Sequence, residues 1–137
     1  MRAARLIATI PVRDLDRARA FYLDVLGFEH VGTSEAGVLC GAGDGRILLY
    51  PSAGAAPEHT LAGFEVDALE PLIESLKPDG VRFEDYDLPG LRTVDHIACI
   101  GPERAAWFRD SEGNILSISE PWRDREAEPD WPGTLGS

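Results

Sequence analysis

The chain has 137 residues, 44% of them hydrophobic, and a formal net charge of -11 at pH 7. This length and composition suit a single domain with a substantial hydrophobic core, and no apolar run is long enough to span a membrane. The negative charge would repel the phosphates of nucleic acids and of anionic lipids, so neither is an expected partner, whereas it would attract a cationic small molecule.

The cysteines and the N-terminus indicate the compartment. Cys40 and Cys99 are too few and too far apart to suggest a disulfide scaffold or a metal knuckle, and both are expected to be buried thiols. The apolar stretch near the N-terminus is too brief for a signal peptide and is better explained as a first strand. A cytoplasmic location is therefore expected.

The first half of the chain has the pattern of a strand followed by a helix. A short β-branched run ends at Val12, Asp14 can cap a helix over residues 14–26, and Gly27 can take the left-handed conformation that closes it. Three short strands are expected next, at residues 28–31, 37–40 and 46–50. Module one, about residues 5–51, is therefore predicted to be a βαβββ unit.

The second half repeats this order after a linker of small residues and prolines at 52–59. A strand from Thr60 precedes a helix over about 68–77, for which Asp67 and Glu70 form a capping-box-like pair. A strand over 81–86, an excursion over 87–95 and three closing strands are expected in the remainder. Excursions of this length are often lids or binding loops.

Module two ends near residue 120, so residues 1–120 are predicted to form one domain built from the two modules. Residues 121–137 are charged and rich in proline, and they are expected to form a tail that docks partly through Trp122.

Two motifs carry a family resemblance. One is Asp14-Leu15-Asp16-Arg17-Ala18-Arg19-Ala20-Phe21-Tyr22 with Leu26-Gly27-Phe28, and the other is Phe108-Arg109-Asp110-Ser111-Glu112-Gly113-Asn114. In this order, and with the duplicated module, they resemble the vicinal oxygen chelate superfamily, which includes glyoxalase I, bleomycin resistance proteins, fosfomycin resistance enzymes and extradiol dioxygenases. The second motif is similar to a Phe-x-Asp-Pro-x-Gly-Asn turn, with Ser111 in place of proline.

The resemblance implies an α+β fold in which two tandem βαβββ modules form a curved mixed sheet around a cavity, the glyoxalase/bleomycin resistance/dioxygenase fold. Members are commonly dimers, so a homodimer is expected. In the metal-dependent members, His, Glu or Gln ligands come from the first strand of each module and from the last strands. Carried over to this chain, these positions fall on or beside Ile7, near Leu61, on Ser117 and within 46–50.

None of these positions holds a credible metal ligand, so the familiar metal site is predicted to be lost and no cofactor is expected. This argues against glyoxalase I and extradiol dioxygenase activity. It favours metal-independent binding of a small organic ligand in the cavity, for example antibiotic sequestration.

The candidate site residues come from the ligand positions that the resemblance implies, from strand alternation around those positions, and from residue chemistry. The predicted ligand-binding set is Thr9, Tyr50, Glu65, Tyr86, His96, Trp107 and Ser117. Glu65 and His96 are also the candidate catalytic residues. A carboxylate such as that of Glu65 inside the cavity of the curved sheet needs a partner or a ligand. Asp95 could orient the imidazole of His96 so that it acts as a base. The structural alternatives are core packing for the aromatic residues, an exposed strand end for Glu65 and a solvated loop for His96.

Two other functions remain open at this point. The chain could be a lyase, isomerase or dioxygenase that uses a relocated metal built from His59, Glu65 and His96, or acid–base chemistry through Glu65 and His96. It could instead be an interaction module, if no cavity is present and the tail packs on another chain through Trp122 or Trp131.

Overall fold

The computed structural model describes residues 1–121, and the tail with Trp122 and Trp131 lies outside these residues. Module one contains β1 (Ile7–Val12), α1 (Leu15–Ala20) with a π-helical turn (Phe21–Val25), β2 (Glu29–Ser34), β3 (Gly37–Ala42) and β4 (Gly45–Pro51). Module two contains β5 (Thr60–Glu65), α2 (Leu69–Leu76) with a 3-10 turn (Lys77–Asp79), β6 (Phe83–Glu84), β7 (Asp87–Leu88), β8 (Leu91–Val94), β9 (Ile97–Ile100), β10 (Glu103–Arg109) and β11 (Ile115–Ser119). The predicted α+β fold class is confirmed.

Each module places its first strand at the edge of a mixed sheet. The strand order is β1-β4-β3-β2 in the first sheet and β5-β11-β10-β9-β8-β7 in the second, with β6 also paired to β10. β1 is parallel to β4, and β5 is parallel to β11. The edge strands β1 and β5 contact each other, so the two modules meet along a seam between their sheets.

Strand alternation divides each sheet into a core face and an opposite face. On the core face, Ile10, Leu49, Phe108 and Leu116 are almost completely buried, and both modules contribute to one hydrophobic core together with the helices. The other face, here called the open face, carries Thr9, Leu48 and Tyr50 of the first sheet and Trp107, Arg109 and Ser117 of the second. Among the described residues, no helix is long and apolar enough to cross a membrane.

The first helix begins as the sequence predicts and ends differently. The Asp14 side chain accepts a hydrogen bond from Arg17 N at 3.0 Å, which confirms the cap. The helix then widens to π geometry, with Leu26 N donating to Phe21 O at 3.0 Å. Tyr22 in this turn is fully buried against module two, a tertiary contact that overrides the preference for regular α-helix.

The predicted capping box of the second helix is wrong. The N-cap residue is Ala68, and its side chain makes no capping hydrogen bond. Glu120 accepts a hydrogen bond from Leu69 N at 3.2 Å instead, while Glu70 pairs with Arg104. A carboxylate distant in sequence therefore satisfies the helix N-terminus, which a local pattern cannot show.

The excursion over 87–95 is not a loop, and the expected strand over 81–86 shortens to β6. β7 and β8 form a hairpin, and β8 turns into β9 through Asp95 and His96, which have φ of 53° and 74°. Asp is among the residues that tolerate this left-handed conformation, so a tight turn forms without glycine. Hydrogen bonds between the paired strands satisfy the backbone N–H and C=O groups of this segment, which the sequence pattern had assigned to a loop.

The two cysteines differ in exposure. Cys40 is buried, and burial raises the pKa of its thiol. Cys99 is exposed, so the prediction that both are buried thiols is wrong. The reason is a cavity of about 950 Å³ between α2 and this part of β9, which leaves the Cys99 side chain open to solvent.

Gly37 allows the close approach of β3 to β4, and replacing it should be destabilising. It is buried with φ of 138°, and a Cβ added there would overlap the carbonyl oxygen of Leu49. We expect Gly37→Ala to lower the free energy of unfolding by about 2 kcal/mol, measured by urea denaturation. Gly32→Ala is the matched control, since a Cβ there meets nothing within 4 Å. Equal effects of the two substitutions would contradict this explanation.

Candidate functional site

An aromatic pair lies on the open face of the second sheet. The rings of Tyr86 and Trp107 are in edge-to-face contact, with centroids 5.5 Å apart and planes at 86°. Both side chains are half-buried. Trp107 on β10 lies opposite Ser117 on β11, which in turn lies opposite Gly63 on β5. Strand pairing sets Trp107 opposite Ser117, and the ring contact adds Tyr86, so three of the predicted ligand-binding residues lie together.

An ion pair borders these aromatic rings. Arg109 Nε lies 3.3 Å from Glu84 Oε2, and Arg109 Nη1 donates to the carbonyl oxygen of Gly113 at 3.0 Å. Burial, and then the Glu84 carboxylate, raise the pKa of Tyr86, so its phenol stays protonated at neutral pH and can donate a hydrogen bond.

Sequence reasoning missed Glu84 as a member of this site. The signal was present, because residues 84 and 86 share one side of a strand and residues 107 and 109 share one side of another. The pairing of β6 with β10, in which Trp107 lies opposite Glu84, was needed to join them.

The first sheet contributes an apolar part of the open face. Thr9 is exposed on β1 opposite Leu48, and Tyr50 is half-buried two residues further along β4. Ile7, Leu39 and Leu48 line a shallow depression of about 390 Å³ with Gly32, Thr33, Ser34 and Gly37. The predicted residues Thr9 and Tyr50 therefore share a face but lie on the other module from the aromatic pair.

Comparison with known proteins identifies the family. The model of the Glyoxalase/Bleomycin resistance protein/Dioxygenase superfamily matches residues 6–118. The chain belongs to this superfamily. The resemblance carried by the two sequence motifs is thus confirmed, and the match covers elements of both modules.

Solved structures show the same fold. UcmS2 is 24% identical with a TM-score of 0.68, covering 88% of this chain and 100% of that one. Lactoylglutathione lyase from Agrobacterium tumefaciens is 22% identical with a TM-score of 0.62, covering 86% and 93%. TnmS3, an antibiotic binding protein from a Streptomyces species, is 19% identical with a TM-score of 0.59, covering 88% and 97%. At these identities the similarity shows the fold alone.

The positions that the resemblance carries over as metal ligands do not offer residues that fit a divalent metal. Ile7 and Leu61 lie on or beside the first-strand positions, and Leu48, opposite Thr9, lies within the 46–50 segment of β4. Ser117 supplies one neutral hydroxyl, and a Cβ on Gly63 would come within 2.6 Å of its Oγ. A set of three aliphatic side chains and one hydroxyl offers no imidazole or carboxylate ligand.

The relocated metal site is not assembled either. Among residues 1–121, no group of three or more His, Cys, Asp and Glu side chains could hold a metal ion. Within one chain, His59, Glu65 and His96 therefore do not come together as a metal site.

Glu65 and His96 lie in different places. Glu65 is exposed at the end of β5 and lines a crevice at the seam between the modules. His96 is in the β8–β9 turn, with Nδ1 2.9 Å from Asp85 Oδ1 and its ring against Phe83. It lines the cavity beneath α2, on the other side of the second sheet from Trp107. The structure thus does not join the two predicted catalytic residues in one site.

Proposed function

We propose that this superfamily member binds a small organic ligand with a planar portion on its open face, without needing a metal. The observation that supports this proposal is the half-buried pair of Tyr86 and Trp107 beside Ser117, in a chain with no imidazole or carboxylate at the ligand positions that the resemblance implies. A partly exposed aromatic pair supplies a large apolar contact area at low entropic cost.

Each part of the open face has a role in this proposal. Trp107 packs against the planar portion of the ligand, and the neutral Tyr86 phenol donates a hydrogen bond. Ser117 offers a hydroxyl that can donate or accept. The Arg109–Glu84 ion pair holds the residues at the border of the site in place. The net charge of -11 favours a ligand that carries positive charge.

A homodimer and a cytoplasmic location remain predictions. In the single chain, Ile7 and Val31 are 45% and 43% exposed, although they are large apolar residues on strands of the first sheet. A second copy over the open face would cover such residues and enclose the ligand. Antibiotic sequestration is the specific version we propose, in line with the antibiotic binding protein among the structural relatives.

Titration of the protein with bleomycin, a cationic glycopeptide with a planar bithiazole, tests this version. The sequence has three tryptophans, so replacing Trp122 and Trp131 by Phe leaves Trp107 as the only fluorophore of its type. We expect saturable quenching of its fluorescence with a micromolar midpoint. Calorimetry should show that Trp107→Leu weakens binding by about tenfold or more, since it removes a central aromatic contact.

Val94→Ala is the control for this titration, because Val94 is 67% exposed on β8 and outside the open face. It should leave the affinity unchanged. Absence of both quenching and heat at micromolar protein would remove the bleomycin version. Tight binding of about one nickel, zinc, manganese or iron per chain, measured by mass spectrometry, would contradict metal independence.

A further inference from the structure

A second recess lies at the seam between the modules. It is a crevice of about 850 Å³ whose lining includes Ala8 near the start of β1 and Phe64 near the end of β5. Phe28 and Phe64 contact each other across the seam, with ring centroids 5.2 Å apart. Because Ala8, Phe28 and Phe64 pack against the hydrophobic core, the crevice reaches into the helix side of the sheets rather than only the open face.

A small apolar chamber adjoins this crevice. Its volume is about 160 Å³, and it shares Leu26, Phe28, Phe64 and Val66 with the crevice, while Leu72, Leu76, Phe108 and Ile118 complete its lining. All of its lining side chains are apolar. An apolar space of about 150 Å³ lined by such residues is large enough for a molecule the size of benzene.

The mouth of the crevice carries more negative than positive charge. Three carboxylates, on Glu29, Asp44 and Glu65, line it together with one guanidinium, on Arg46. A cation attached to an apolar group would meet this negative potential while the apolar group enters the chamber.

We propose that the crevice and its chamber form a second binding site, for a compact aromatic group that carries an alkylammonium arm. The ring occupies the chamber between Val66 and Phe108, and the ammonium lies at the mouth near Glu29 and Asp44. This site differs from the one proposed on the open face, because Trp107, Tyr86 and Ser117 do not line it.

Two matched probes separate the apolar and charged parts of this proposal. Phenethylammonium has both the ring and the cation, and propylbenzene replaces the ammonium by a methyl group. We expect both to bind in ligand-observed NMR titrations. Glu29→Gln combined with Asp44→Asn should weaken phenethylammonium by about threefold to tenfold and leave propylbenzene within about twofold.

Filling the chamber tests its location. Val66→Phe should weaken both probes by about tenfold or more, whereas Val94→Phe makes the same change at an exposed position and should have no effect. Trp107→Leu should also leave both affinities within about twofold, which keeps this test independent of the open-face site. If Val66→Phe fails to fold, isotope-filtered NOEs on the unaltered protein locate the ring, and contacts with the methyls of Val66 and Leu76 are expected.

Several results would overturn the proposal. They are failure of both probes to bind, NOEs from the ring to Trp107 or Tyr86 instead, or equal effects of the Val66 and Val94 substitutions. Loss of probe binding as the protein dimerises at higher concentration would assign the crevice to a second copy of the chain.

Discussion

Replacing Asp110 by alanine should lower the free energy of unfolding by about 3–5 kcal/mol, because this carboxylate accepts several hydrogen bonds inside the protein and connects the two modules. It accepts hydrogen bonds from Tyr22 Oη at 2.6 Å, Glu112 N at 2.8 Å, and Asn114 N and Nδ2 at 2.9 and 3.0 Å. Asp110 is 6% exposed, so water could not replace these partners. The substitution would leave the Tyr22 hydroxyl buried without its acceptor.

Urea denaturation at neutral pH measures this effect. Asp24→Ala is the matched control, since it removes an exposed carboxylate from the same helical segment as Tyr22 and should cost less than about 0.5 kcal/mol. Tyr22→Phe alone should cost about 1–2 kcal/mol, and combining it with Asp110→Ala should cost less than the sum of the two. An effect of Asp110→Ala below about 1 kcal/mol would show that the carboxylate does not hold the modules together.

The hydrogen bond between Tyr22 and Asp110 stabilises the fold, and the properties of the Tyr22 phenol show why it is not a reactive group. Burial, and then the charge of Asp110, raise the pKa of the Tyr22 phenol, so the group stays neutral and serves only as a hydrogen-bond donor. Both residues belong to the motifs that identified the family. The motif residues in this contact therefore specify how the modules join.

Local sequence signals predicted the fold well where residues close together in the sequence determine the structure. Asp14 caps the first helix, Gly27 and Gly80 take left-handed conformations after the helical segments, and β1 alternates as expected. Prediction failed where a distant residue decides the structure. Glu120 replaces the expected cap of α2, and strand pairing orders the segment over 87–95.

The sequence predicted which kinds of residue would form the candidate site better than it predicted where in the fold they would lie. Trp107 was a candidate as an aromatic residue and Ser117 as a position that the resemblance implies, and only the β-strand register shows that they lie opposite each other. The sequence could not show on which side of the second sheet His96 would lie, because that depends on the turn at residues 95 and 96. His96 consequently contacts Phe83 on the core side, away from the aromatic pair.

Stability should fall in acid because of one buried carboxylate, that of Glu112. Its side chain is 1% exposed and accepts hydrogen bonds from Arg17 Nε at 2.7 Å and from the backbone N of Arg13 and Asp14 at 3.0 Å. The hydrogen bond from Arg17 is the largest of the effects that lower the pKa of Glu112 from 4.5 to about 2. Since the pKa is lower in the folded state, the ionised form stabilises the fold by about 3 kcal/mol above pH 4.5.

This stabilisation should disappear as the pH falls from 4.5 to about 2 and below, because the Glu112 carboxyl group then becomes protonated in the folded chain as well as in the unfolded chain. Urea denaturation of the unaltered protein and of Glu112→Gln between pH 2.5 and 7 measures it. The two proteins should differ by about 3 kcal/mol at pH 7 and by much less at pH 2.5. Glu74→Gln removes a carboxylate that is 74% exposed and should show little pH dependence. Equal destabilisation of Glu112→Gln at every pH would contradict this explanation. The cause would then be lost packing or hydrogen bonding, and not the loss of the charge that binds Arg17 of module one to the closing turn of module two.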